Sequence, residues 1–208
     1  MKRNQKGLSG ISTLIIFIAI ILVAAIAALV LLQTVSTLQS QALATGKQSK
    51  EQVSTQLQVE KVIADVNVDS NTNVQKLRIT TKLSPGSAKI NLSQMLMSIK
   101  ADSFFRAGLS YNKATANTTT AVEAATGGAT GTNTDANTVY SVLWLASAPS
   151  VRTAVEEGDL IEIWVSVSGD LRTNEDVVVE LGPSGGVTTR VYFKTPVTFD
   201  QKYERIFP

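Results

Sequence analysis

Nineteen consecutive apolar residues, Leu14 to Leu32, dominate the start of this 208-residue chain, and no charged side chain occurs from Gly7 to Gly46. Such a segment has few stable settings. As a helix rising ~1.5 Å per residue, the strict run spans about 28 Å, close to the hydrocarbon thickness of a bilayer. No Pro interrupts it, so nothing obliges a kink. The pattern then narrows: Val35, Leu38, Ala42 and Leu43 recur at three- and four-residue spacing among Gln, Ser and Thr. A helix apolar all round becomes a helix with one apolar stripe. The spacing predicts one long helix from about Leu8 to Gly46 or further, with the charged, Gln-rich stretch from Lys47 as its end and a joint. Residues 8–55 are therefore read as the helical segment and 56–208 as a separate domain.

Three fates are open to the opening segment. Lys2, Arg3 and Lys6 precede the apolar run, with Gly7-Leu8-Ser9-Gly10 wedged between. A secretory signal cut after Ala42-Leu43-Ala44 is the first fate. Ordinary signal cores run ~7–15 residues, shorter than this one, and the site lies well past the run's end. An uncleaved anchor with its basic end in the cytoplasm is the second. In the third, a basic leader of residues 1–7 is clipped on the cytoplasmic side and the helix remains at the new N-terminus. Gly7, Ser9 and Gly10 would keep that leader extended and admit it to a protease cleft.

The wedge and the apolar run behind it carry a resemblance. "KGLSGISTLIIFIAIILVAAIAALVLL" resembles the N-terminus of archaellins, the archaeal flagellins, whose precursors bear a class III, type IV pilin-like leader ending in Lys/Arg-Gly. The resemblance implies cleavage between Gly7 and Leu8 by a prepilin-like leader peptidase. It argues against a bacterial-type pilin, which usually begins with Phe and has Glu as its fifth mature residue; here those positions are Leu8 and Ser12. Transfer of such helices from lipid into a bundle gains little hydrophobic energy, so close packing must favour assembly. Ala24 and Ala28, a small-xxx-small pair, suit that role.

Beyond Gly46 the periodicity changes from helical to alternating. Val62, Ala64, Val66 and Val68 alternate with polar neighbours, as do Leu77, Ile79 and Leu83. Met95, Met97, Ile99 and Ala101 come next, then Phe105, Ala107, Leu109 and Tyr111. "TVYSVLWLAS" is apolar on both faces and reads as a central buried strand. Ile161 to Val167, Val177 to Leu181, and Val187, Val191 and Phe193 complete the set. Short alternating runs separated by the turn signals "SPGS", "SGD" and "GPSGG" predict a β-sandwich. The archaellin resemblance makes that sandwich immunoglobulin-like. It is supported by Gly158-Asp159, Pro183-Ser184-Gly185 and Thr195-Pro196 near the C-terminus. The expected class is α+β: a long N-terminal hydrophobic α-helix, then an antiparallel sandwich.

Composition narrows the function. There is no His and no Cys, which removes Ser-His and Cys-His nucleophilic arrangements and any disulfide framework. Without Lys2, Arg3 and Lys6, sixteen basic residues face seventeen acidic ones, and no basic cluster with interleaved aromatics points to nucleic acid. Glu156, Glu157 and Asp159, and Asp170, Glu175 and Asp176, read as loop charges at strand ends. No EF-hand spacing is present, and no metal, cofactor or catalytic residue is assigned. Residues 111–138 are Thr, Ala, Asn and Gly in low-complexity order and read as a solvated loop on the outer face. Asn91-Leu92-Ser93 and Asn117-Thr118-Thr119 are glycosylation sequons.

These observations together predict a structural subunit of the archaeal swimming filament. It would be a membrane-resident precursor, then an extracellular homopolymer joined through its helices. An adhesive archaeal pilin and a single-pass, membrane-anchored β-sandwich binding module are the alternatives.

Overall fold

The computed structural model describes residues 4–66, 73–114, 117–126, 138–146 and 152–207. The chain divides into two compact units, residues 1–49 and 50–208. Helix α1 runs over Asn4–Ser54, which at ~1.5 Å per residue is about 77 Å of unbroken helix. It passes through Gly46 without a break. A single Gly costs about 1 kcal/mol relative to Ala, too little to stop a helix already propagating. The same reasoning accounts for its start. The backbone is helical from Asn4 through Gly7 and Gly10, where an extended segment was expected. The last i→i−4 bond runs from Thr55 N to Glu51 O (3.0 Å), after which Gln56 and Leu57 are extended.

Among the described residues, the second unit contains eleven strands. They are β1 (Leu57–Val66), β2 (Asn73–Leu83), β3 (Ile90–Asn91), β4 (Leu96–Ala101), β5 (Phe105–Tyr111), β6 (Val139–Ala146), β7 (Ala154–Val155), β8 (Leu160–Arg172), β9 (Asp176–Gly182), β10 (Thr189–Lys194) and β11 (Tyr203–Phe207). A short helix, α2 (Thr119–Ala125), lies between β5 and β6. Nine strands form one sheet in the order β10-β9-β4-β5-β6-β8-β2-β1-β11, and β3 pairs with β7. The sheet folds over on itself. Val177, Val179, Leu181 and Val191 from one half share a single buried core with Leu77, Ile79, Ile161 and Ile163 from the other. The two halves thus face each other as the layers of a sandwich, while hydrogen bonding continues around the bend through β5. Where β10 returns to the start of the domain, a parallel bridge joins Gln56 to Val187.

Every pairing in the sheet is antiparallel except β5 with β6, where Ser110 meets Val139 and Tyr111 meets Tyr140 in parallel. A parallel neighbour needs a crossover of a dozen or more residues. The Thr/Ala/Asn/Gly-rich stretch supplies it. Within that stretch α2 is ordered against the sheet: Val122 is fully buried with Ala114, Leu143 and Trp164 in a second apolar cluster on the outer face. The expectation of a uniformly solvated loop therefore fails for residues 117–126. Residues 115–116 and 127–137 lie outside the described part, as does Val68.

Three strand-level expectations also need correction. Phe105 and Ala107 face outward, Phe105 at 66 % exposure, while Leu109 is buried. Met97 pairs with Leu109 but Ile99 with Arg106, so β5 carries one extra residue opposite β4. Gly108, at φ 72°, occupies the bulge. One inserted residue exchanges the two faces of a strand. Second, Ser168-Gly169-Asp170 is not a chain reversal. It lies inside β8, where the register with β2 slips between Val74–Leu171 and Lys76–Ser166, and the reversal comes at Asn174 (φ 61°). Third, Val187 is exposed and precedes β10. The buried strand β6 is as expected, with Tyr140 to Trp144 all buried.

Candidate assembly surface

The feature with the clearest potential for interaction is α1 itself. Every residue from Gly10 to Val53 is exposed. Ile15, Phe17, Val23, Leu29 and Leu32 each leave more than half of their surface uncovered. Single exposed apolar residues are ordinary, whereas a continuous apolar surface of this length marks an interaction site. Ala24 and Ala28 lie one helical turn apart, so they share a face. Gly7 and Leu8 lie in the first turns of the helix.

Past the strict apolar run, three hydroxyls bond back to the helix's own backbone. Thr34 Oγ1 donates to Leu31 O (2.8 Å), Thr37 Oγ1 to Gln33 O (2.9 Å) and Ser40 Oγ to Ser36 O (3.0 Å). Hydroxyls bonded back to their own helix cost less to remove from water than free ones. This polar collar can therefore tolerate burial as well as solvent.

The segment that leaves the helix is held on both sides. Ser87 Oγ donates to Ser54 O (3.0 Å), Ala88 N donates to Thr55 Oγ1 (3.1 Å), and Ser84 N donates to Gln56 O (3.0 Å). From the other side, Val187 N donates to Thr55 O (2.9 Å) and Thr189 Oγ1 to Leu57 O (2.7 Å). Gly186 is required there, because a Cβ on it would sit 2.4 Å from Thr55 O. Residues 54–57 are thus threaded between the 84–88 and 186–189 segments. Both segments carry turn signals, "SPGS" and "GPSGG", but no local pattern announces what they grip.

The remaining expected residues divide clearly. Asn91 is exposed at the start of a 3-10 turn and accepts from Ser93 N through Oδ1 (3.0 Å). Asn117 is partly buried and its amide is engaged by the backbone of one residue: Nδ2 donates to Trp144 O (3.0 Å) and Oδ1 accepts from Trp144 N (2.8 Å). It therefore extends the edge of β6. Thr118 next to it caps α2 by accepting from Ala121 N. A Thr preceding an Ala-rich run was the available signal for that helix.

The acidic groups hold loops together. Asp159 is buried and accepts from Glu156 N (2.9 Å) and Arg152 Nη2 (3.4 Å), Glu175 accepts from Ser103 Oγ (2.7 Å), and Asp170 pairs with Arg106. Among the described residues, the titratable groups clearly altered by folding are core tyrosines. Burial pushes Tyr111 up to about 12, and burial together with the neighbouring Tyr111 pushes Tyr140 further still. Tyr140 donates its hydroxyl toward Leu92 O (2.8 Å) and Met95 O (3.0 Å). These arrangements stabilise a scaffold.

Comparison with known proteins agrees with that geometry. The archaeal-type flagellin family model matches residues 7–193. Flagellin B1 of Methanococcus voltae is 34% identical over 218 residues, covering 96% of this chain and 94% of that protein. Flagellin B2 of Methanocaldococcus jannaschii is 33% identical over 205 residues, covering 95% and 92%. In fold, the chain is similar to the archaeal flagellum of Methanospirillum hungatei strain JF1, with TM-score 0.62 and 12% identity over 96% of this chain and 99% of that one. It is also similar to the crystal structure of archaeal flagellin FlaB1 from Methanocaldococcus jannaschii, with TM-score 0.57 and 18% identity over 74% and 97%. Since the family model spans nearly the whole length and the curated relatives align end to end, the chain belongs to the archaeal-type flagellin family.

Proposed function

We propose that this protein is the structural subunit of an archaeal swimming filament, assembled outside the cell by polymerisation of identical copies through α1. The observation that carries the reading is the uncovered apolar surface of α1, charge-free from Gly7 to Gly46. A helix apolar all round has no stable place in water. Lipid receives it first, with the basic residues 1–7 on the cytoplasmic side. A prepilin-like leader peptidase then cuts between Gly7 and Leu8, and α1 leaves the membrane to pack in parallel with other copies of itself. Ala24 and Ala28 permit close approach in that bundle. The β-domain forms the outer surface and, with its exported position, carries glycan on an Asn-x-Ser/Thr sequon. The protein's role is mechanical, and no residue is assigned chemistry. Intact-mass measurement of sheared filaments tests the reading. A subunit beginning at Leu8 is expected, whereas a start at Thr45 or a retained Met1 leader would overturn it.

A further inference from the structure

The described part of the chain holds two sequons, and their amide groups are in opposite states. At Asn117 both the donor and the acceptor are committed to the backbone of Trp144. At Asn91 the side chain is exposed, Oδ1 is turned back onto Ser93 N, and Nδ2 makes no hydrogen bond among the described residues. The backbone at Asn91 is extended (φ −87°, ψ 115°), so its amide nitrogen is presented to solvent without competition from the fold. Asn91 also borders a groove of ≈ 410 Å³ whose walls include Glu51, Thr55, Lys89, Gln94 and Ser184. The volume falls within the ~300–1,000 Å³ range of small-molecule sites. The walls mix a carboxylate, an ammonium, an amide and a hydroxyl, and each sugar hydroxyl both donates and accepts. One wall is the last turn of α1 and the other the 183–185 turn. They adjoin the clasp around residues 54–57.

We propose that Asn91, and not Asn117, carries an N-linked oligosaccharide whose first residues lie in this groove and tie the end of α1 to the 183–185 turn. The inference rests on the exported-filament reading and deepens it. In the transfer, Asn91 Nδ2 displaces a lipid-linked phosphate from the anomeric carbon of the oligosaccharide. A carbon–nitrogen bond forms, and the carbon–oxygen bond breaks with its electron pair leaving on the phosphate. One Nδ2 proton passes to a base of the transferring enzyme. At Asn117 the same chemistry would require loss of the bonds to Trp144. A sugar there would stand against a backbone that the fold has closed. The glycan at Asn91 instead occupies a concave polar surface. It acts as a brace at the place where load on the helix reaches the β-domain.

The test uses filaments from the producing cells in three forms: the natural chain, Ser93→Ala and Thr119→Ala. Each substitution removes one sequon and leaves its Asn in place. Glycopeptide mapping should find oligosaccharide on Asn91 in the natural chain and in Thr119→Ala, none in Ser93→Ala, and none on Asn117 in any form. Trypsin should cut the Lys50–Glu51 bond about fivefold faster in Ser93→Ala than in the other two, as expected if the glycan suppresses local opening. Bare Asn91 or a modified Asn117, on subunits that begin at Leu8, overturns this assignment and leaves the filament reading intact. Bare Asn91 on chains that retain Met1 overturns both. Oligosaccharide on Asn91 with equal cutting in all three forms overturns the seat in the groove.

Discussion

Asn117 shows how one side chain can stand in for a strand. β5 runs beside β6 only at Ser110–Val139 and Tyr111–Tyr140, so the backbone of Trp144 further along would have lost its partner on that side. The Asn117 amide supplies both a donor and an acceptor to it, which keeps an otherwise open edge satisfied. Asn117→Ala should therefore cost about 1–3 kcal/mol, the usual penalty for leaving buried polar groups unpaired. Asn117→Asp, which keeps the acceptor and loses the donor, should fall between the two. Urea unfolding midpoints of the three chains check the order. An unchanged midpoint for Asn117→Ala would mean that water replaces the amide at no cost.

At the scale of elements, α1 was the most legible part of the chain. Its signal, a run of apolar residues without charge, is local and needs no tertiary partner for its interpretation. The alternating strand at Val177–Leu181 was legible for the same reason, since it buries one clean face, and so was the strand at Ile161–Val167, although Glu162, Trp164 and Ser166 on its other face are buried as well. Phe105 was misplaced because the bulge at Gly108 depends on how β5 meets β4, and pairing is not written in either strand alone. Helix α2 was hidden by composition: Thr and Ala suggested a solvated loop, and only Val122 finding Leu143 and Trp164 makes the segment a helix. The assembly surface was legible; the clasp on residues 54–57 was not, because its grip comes from segments some 30 and 130 residues away. The helix also gives the sharpest element-level prediction. Ala24→Asp places a carboxylate in the centre of the apolar run, at ~2.5–3.5 kcal/mol on insertion scales, with no Lys or Arg between Leu8 and Gly46 to pair with it. Subunits should still be cut at Gly7 but build no filaments. Ala28→Leu should reduce filaments less, since it loses close approach and keeps burial. Filament counts by electron microscopy beside immunoblot levels separate assembly from expression.

The whole molecule separates two tasks, polymerisation and folding, and each can be tested without the other. For folding, the ionisation of the core tyrosines supplies a handle. Unfolded tyrosine loses its proton near pH ~10, whereas Tyr111 holds its proton to about 12 and Tyr140 beyond it. Their contribution to stability is complete below pH ~10 and declines as pH rises past it, because the unfolded state then binds fewer protons than the native one. Tyr140→Phe should flatten that alkaline decline in denaturant midpoint, even though it lowers stability at neutral pH. For polymerisation, the decisive chain begins at Lys50. It keeps Ser54, Thr55 and Gln56, which the 84–88 and 186–189 segments grip, and it keeps the whole core from Leu57 to Phe199. No member of that core comes from residues 4–49. The truncated chain should fold cooperatively and elute as a soluble monomer by size-exclusion chromatography with light scattering. It should form no filaments at any concentration, since the apolar surface that demands partners has gone. Filaments from this chain would show that the β-domains hold the polymer together and that α1 serves only as its membrane anchor.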